Sequence, residues 1–167
     1  LRNYLGFNNV DLHDGYLHAA RYGNVPYRES QLVADDYFYW LKKELGADAD
    51  VTDTGIDCNS WVARPWTHEE KYHPTNWVTD RCLDFLRRRD PDQPFFLMAS
   101  YLRPHPPFDA PQYYFDLYRD KNLRPPFVGT WESDEYLRRD GRIFDSRTGP
   151  ADAELIRQAQ IGYYACI

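Results

Sequence analysis

Residues 94–101 read PFFLMASY, and the segment that follows them, residues 102–108, reads LRPHPPF. The first stretch is short and almost continuously apolar, which is typical of a strand that is buried on both faces. Strands of this kind occur in parallel sheets that are covered by helices. The sequence therefore predicts an α/β fold that contains part of a mostly parallel sheet with flanking helices.

Helical spacing of apolar residues is found on both sides of the predicted strand. The first helix is expected to begin with Ser30 as its cap and to end at Gly46. Residues 119–150 show little periodicity, and they are expected to form an irregular insertion. The four predicted helices cover about 30–45, 76–89, 111–118 and 150–167.

A candidate site follows from where the predicted strand ends. Open α/β sheets bind ligands outside the carboxyl ends of their strands, and His105 lies just beyond Tyr101, the last residue of the strand. A helix leading into a parallel strand runs antiparallel to it, so His73, ahead of helix 76–89, is expected on the same side. With Arg103 as a cation, these residues predict a site for an anionic ester. The alternative for each is a structural role, as a hydrogen-bonded histidine or a carboxylate-paired arginine.

Composition excludes several classes of function. The chain has 167 residues, which suits one domain with a sizeable core. Its net charge of −6 argues against binding to nucleic acid or to an anionic membrane. No apolar run approaches the roughly 20 residues that a membrane span needs. Cys58, Cys82 and Cys166 form no CxxC pair, so neither a disulfide scaffold nor a metal site is predicted.

Four stretches resemble type I sulfatases of the alkaline-phosphatase superfamily. PFFL at 94–97 followed by PHPPFDAP at 104–111 is similar to the mid-chain motif of that family, in which a histidine reaches the sulfate. The sequence TDRCLDFL at 79–86 matches the helix that precedes this motif. The final QIGYYACI at 160–167 matches a later helix of the same family.

The resemblance implies an alkaline-phosphatase-like fold and the hydrolysis of a sulfate ester, either a small-molecule sulfate such as an aryl sulfate or a carbohydrate sulfate. It makes His105 the catalytic residue, which would donate to a sulfate oxygen or to the leaving-group oxygen. From their charge and their expected position beside it, Arg103 and His73 are predicted to bind the substrate. For the full-length parent it also implies a formylglycine nucleophile and calcium or another divalent cation.

Motifs that the family needs are absent from these residues. Neither Cys58 nor Cys82 stands in the C/S-x-P-S/A-R context from which formylglycine is made. The calcium pattern of the family, an Asp-Asp pair near its N-terminus and a later Asp with Asn or His after a buried strand, is not expected in these residues either. Residues 1–167 are therefore expected to be the central segment of a sulfatase catalytic domain, truncated at both ends, without a cofactor and inactive alone. A sheet cut in this way is expected to self-associate through its open edge.

Two other functions fit the sequence. A phosphonate monoester hydrolase or phosphodiesterase of the same superfamily would also carry the PH-x-P segment. A non-catalytic carbohydrate-binding module would explain the aromatic content of 17%. The compartment is left open between the bacterial cytoplasm and the periplasm or exterior.

Overall fold

The computed structural model describes residues 6–13, 35–56, 60, 62–127 and 153–167. The chain divides into two compact units: the first combines Leu1–Val51 with Pro74–Tyr101, and the second combines Thr52–His73 with Leu102–Ile167. The described residues contain two 3-10 helices, Val51–Thr54 and Glu70–Tyr72. They also contain four α-helices, which are α1 (Asp36–Leu45), α2 (Pro74–Arg88), α3 (Gln112–Arg119) and α4 (Ala153–Ala165). None of these helices is both long enough and apolar enough to cross a membrane.

Helix α1 of the first unit has strong signals at both ends. The Asp35 side chain caps its first turn by accepting a hydrogen bond from the Phe38 N–H at 2.9 Å. Gly46 ends the helix with a φ of +108°, a conformation that a residue with a side chain rarely adopts. Between these ends, Tyr37 and Leu41 are fully buried, and the Tyr37 ring meets the Trp77 ring of α2 edge-on at 5.6 Å. Aromatic packing between the two helices therefore contributes to the core of this unit.

The predicted parallel sheet is wrong for the described part of the chain, which contains no strand. Residues 94–101 have no regular secondary structure, and Phe96 and Met98 are 75% and 67% exposed. Within its own unit the run makes side-chain contacts, since the Phe95 ring meets Phe85 at 5.6 Å and the Phe96 ring meets Phe7 at 6.0 Å. Apolar composition measures a tendency toward burial, but a strand also needs a neighbouring backbone about 4.8 Å away to complete its hydrogen bonds. The described residues place no such neighbour beside this run, and self-association through an open edge stays a prediction.

The second unit is built around α3 and α4. Its core contains Phe115 of α3 and Ala165 of α4, packed together with Ala110. A short parallel bridge joins Ala63 to Phe108, with the Arg64 N–H donating to the Phe108 carbonyl at 3.1 Å. This bridge holds the segment after residue 102 against the segment that contains residues 62–66.

A hydrogen bond fixes α3 to the Glu70–Tyr72 turn of the same unit. The Tyr114 hydroxyl donates to the Glu70 carboxylate at 2.8 Å, and this bond raises the pKa of Tyr114 above its usual value. The hydroxyl therefore stays protonated, and keeps donating, at any pH at which the protein is handled.

Gly162 of α4 permits close packing of this helix against Ala63 and Phe108. A Cβ atom at this position would lie 2.5 Å from the Ala63 Cβ and 2.7 Å from the Phe108 Cβ, distances that real contacts do not reach. In an unobstructed helix, Gly→Ala is stabilising by up to about 1 kcal/mol. Gly162→Ala should instead lower the free energy of unfolding by about 1–3 kcal/mol, measured by urea denaturation. Gln158→Ala, at an exposed position of α4, is the matched control, and a stabilising Gly162→Ala would contradict the packing described here.

Three of the four predicted helices are confirmed within two or three residues of their expected ends. The predictions over 76–89, 111–118 and 150–167 correspond to α2, α3 and α4, although residues 150–152 lie outside the described residues. The helix predicted from Ser30 is found from Asp36, and its predicted cap also lies outside them. Of the predicted insertion, only its first residues, up to 127, are described; from 120 onward they have no regular secondary structure, and the insertion stays a prediction.

Candidate functional site

A buried ion pair joins Arg103 to Asp109 in the second unit. The Arg103 Nε donates to Asp109 Oδ1 at 2.6 Å, and its Nη2 donates to Oδ2 at 2.6 Å. The side chain of Arg103 is 2% exposed and that of Asp109 is fully buried. Two parallel, charge-assisted hydrogen bonds fix both the distance and the plane of the pair, which a single contact would not do.

His73 approaches the same carboxylate from the chain segment that follows the Glu70–Tyr72 turn. Its backbone N–H donates to the Glu70 carbonyl at 2.9 Å, which holds the residue at the end of the turn. The ring is buried, lies edge-on to Trp66 at 5.3 Å, and places Nε2 3.7 Å from Asp109 Oδ1. This distance is too long for a hydrogen bond but allows an electrostatic attraction when the imidazole is protonated.

His105 lies on the loop between Arg103 and Asp109, and its side chain is exposed. Its backbone N–H donates to the Leu102 carbonyl at 3.0 Å, and its Nδ1 lies 2.7 Å from the Pro106 carbonyl oxygen. A carbonyl oxygen only accepts, so Nδ1 must carry the hydrogen. Nε2 is then the ring nitrogen that can meet a ligand, and it can donate only in the imidazolium form.

Cys166 is excluded as a nucleophile by its surroundings. Burial, followed by the negative charge of Asp109, raises the pKa of its thiol to about 11. At neutral pH the thiol is therefore protonated, and it is the thiolate that reacts. The residue instead packs against the core formed by Ala110, Phe115 and Ala165.

The structure brings two of the three predicted site residues together at one carboxylate and leaves the third exposed. Arg103 and His73 meet at Asp109 inside the unit, whereas His105 is exposed. No contact in the structure tests whether Arg103 and His73 bind the substrate, so both roles stay predictions. In this structure the Arg103 guanidinium is directed to Asp109, so a substrate contact through Nε or Nη2 requires that pair to open.

Asp109 is the residue that the sequence reasoning missed. Asp109 lies only six residues along the chain, but the need for an acidic partner follows from the burial of Arg103, which the structure shows and the sequence does not. Elsewhere in the described residues, no three His, Cys, Asp or Glu side chains lie close enough together to hold a metal ion. Such pairs do occur, for example His68 with Asp53 at 2.9 Å in the second unit.

This chain is similar to known proteins over most of its length. A family model described as Sulfatase matches residues 18–139. The chain is 45% identical over 168 residues to an arylsulfatase of Clostridium perfringens (strain 13 / Type A), an alignment covering 99% of this chain and 34% of that enzyme. It is also 35% identical over 63 residues to the multifunctional alkaline phosphatase superfamily protein PehA of Trinickia caryophylli, covering 38% of this chain and 12% of that protein. The chain thus spans about a third of the length of the Clostridium relative.

Proposed function

Because the chain belongs to the sulfatase family, we propose that it contributes part of the substrate site of an enzyme that hydrolyses sulfate esters. The observation that carries the proposal is the exposed imidazole of His105, presented on a proline-rich loop whose two ends are joined by the buried Arg103–Asp109 pair. An aryl sulfate is the proposed substrate class, since the Clostridium relative, similar over nearly the whole chain, is an arylsulfatase.

His105 supplies a proton donor for this reaction. Hydrolysis of a sulfate monoester breaks the bond between sulfur and the ester oxygen, and negative charge develops on the leaving oxygen. A group that donates a proton to this oxygen lowers the barrier. With Nδ1–H held by the Pro106 carbonyl, His105 donates through Nε2 as the imidazolium. The neighbouring prolines restrict the backbone of the loop, which lowers the conformational cost of presenting the ring to the substrate.

The family implies that the complete enzyme also uses a divalent cation and a formylglycine. The described residues of this chain do not fit either group. No cluster among them could hold a metal ion, Cys82 is followed by Leu83-Asp84-Phe85, and the Cys166 thiol is kept protonated. The contribution of this segment is therefore limited to what its own side chains bind and donate.

Turnover of matched esters tests the proposed function. The complete enzyme that contains this segment should hydrolyse 4-nitrophenyl sulfate with a higher kcat/KM than 4-nitrophenyl phosphate or a 4-nitrophenyl phosphonate monoester. The 167-residue segment alone should hydrolyse none of the three above the buffer rate. A preference for the phosphonate ester would contradict the proposal and support a phosphonate monoester hydrolase. Turnover by the isolated segment would contradict the proposal that the segment supplies only part of the substrate site.

A further inference from the structure

The Arg103–Asp109 pair closes a loop. The two residues are six apart in the chain, and the five residues between them read PHPPF. The two hydrogen bonds between their side chains, each 2.6 Å long, tie the ends of this segment together. Resting on the function proposed above, we propose that Arg103 and Asp109 are positioning residues, which act on the reaction by holding the His105 loop in one conformation.

What the loop presents supports this role. Between the two charged residues, His105 is the only residue with a polar side chain; the others are Pro104, Pro106, Pro107 and Phe108. Pro107 is fully buried, and the Phe108 ring meets the Tyr163 ring edge-on at 6.0 Å. His105 is the one exposed residue of the five. A clamp at the base of this loop therefore fixes one functional group, the imidazole.

The base of the loop is fixed to the second unit at its Asp109 end. The Asp109 carboxylate faces Arg103 on one side and lies 3.7 Å from His73 Nε2. Immediately after it, the Ala110 carbonyl accepts a hydrogen bond from the Trp66 N–H at 3.1 Å. Movement of either charged residue would therefore move the loop relative to the rest of the unit.

The kind of interaction also favours a positioning role over a purely stabilising one. Replacing a buried ion pair by apolar residues of similar volume is often neutral or stabilising, so such a pair adds little net stability. What it does provide is a defined geometry, because the planar guanidinium accepts only a narrow range of carboxylate orientations. Catalysis depends on such geometry: a displacement of about 1 Å can lower the rate on the order of 100-fold.

A double-mutant cycle in the complete enzyme tests the inference. Arg103→Gln, Asp109→Asn and the double variant are assayed with phenyl sulfate at a temperature at which circular dichroism shows each to be folded. Each single variant should lower kcat on the order of 10- to 100-fold with KM changed by less than about threefold, and the double variant should be no slower than the slower single variant. Arg119→Gln and Asp116→Asn, which disrupt an exposed arginine–aspartate pair with one 2.6 Å contact on α3, should leave kcat within about twofold.

Two further sets of variants distinguish a positioning role from misfolding and from direct contact with the substrate. Arg103→Lys and Asp109→Glu keep both charges and change only the geometry of the pair. They should therefore fold even if the Gln and Asn variants do not, but their kcat should stay at least about threefold below that of the unchanged enzyme. In a His105→Ala background, Arg103→Gln should lower kcat no further, because the clamp acts through His105. A further loss there, with a raised KM and no matching effect of Asp109→Asn, would overturn the inference and indicate that Arg103 contacts the substrate. Normal kcat in His105→Ala itself would instead remove the proposed function on which the inference rests.

Discussion

Replacing His105 with alanine in the complete enzyme is expected to lower kcat for phenyl sulfate by roughly 10² or more, the scale of a lost general acid or oxyanion donor. The exposed ring has its Nδ1 held by the Pro106 carbonyl, so the variant loses the Nε2 proton donor without losing a buried contact. Protein stability should therefore change little, which separates a chemical effect from unfolding.

Two esters with different leaving groups show what His105 does. Nitrophenolate leaves readily without protonation, so His105→Ala should affect 4-nitrophenyl sulfate less than phenyl sulfate if the imidazolium protonates the leaving oxygen. His105→Gln, which can donate a hydrogen bond but no proton in turnover, should recover only a small part of the loss. His68→Ala is the control, because this histidine also belongs to the second unit but pairs with Asp53. A near-normal kcat in His105→Ala would refute the proposed role.

Replacing Arg103 with alanine is expected to lower the free energy of unfolding by about 3–5 kcal/mol, as found when one partner of a buried ion pair is removed. The reason is that the Asp109 carboxylate, which is fully buried, would lose the guanidinium that balances its charge. Urea denaturation of the complete enzyme, followed by a probe of the second unit, gives the measurement.

Arg119→Ala provides the matched comparison for this stability loss. Arg119 also donates to an aspartate, Asp116, at 2.6 Å, but the two side chains are 63% and 52% exposed. Exposed pairs contribute about 0–1 kcal/mol, so the control should lose no more than that. Equal losses in the two variants would show that burial of the Arg103–Asp109 pair has no energetic consequence.

The helices could be predicted from the sequence because their signals are local. A helix forms its hydrogen bonds between residues four apart, so apolar spacing and end signals such as Gly46 carry most of the information. The start of α1 shows the limit, since Asp35, five residues after the predicted cap at Ser30, accepts the Phe38 N–H. Asp and Ser are both good caps, and sequence alone does not choose between two suitable residues in the same stretch.

The candidate site was predictable only in part. The order of residues in PHPPF places a histidine among prolines, and the catalytic role that the resemblance to sulfatases implies for it stays a prediction. The partner of Arg103 could not be selected in the same way. The chain contains 26 acidic residues, and which of them meets a given arginine depends on packing that no local pattern encodes.

The sequence by itself determined three of the four helix positions to within a few residues, the sulfatase family and the place of His105 on a loop without helical structure. The tertiary structure decided that residues 94–101 form no strand in the described part of the chain, that Asp109 receives Arg103, and that His73 is buried beside them. The difference has one physical reason. A helix forms its hydrogen bonds between near neighbours in the chain, and the composition of a loop is read directly from the sequence. A strand and a buried ion pair are completed only by the partners that folding brings to them.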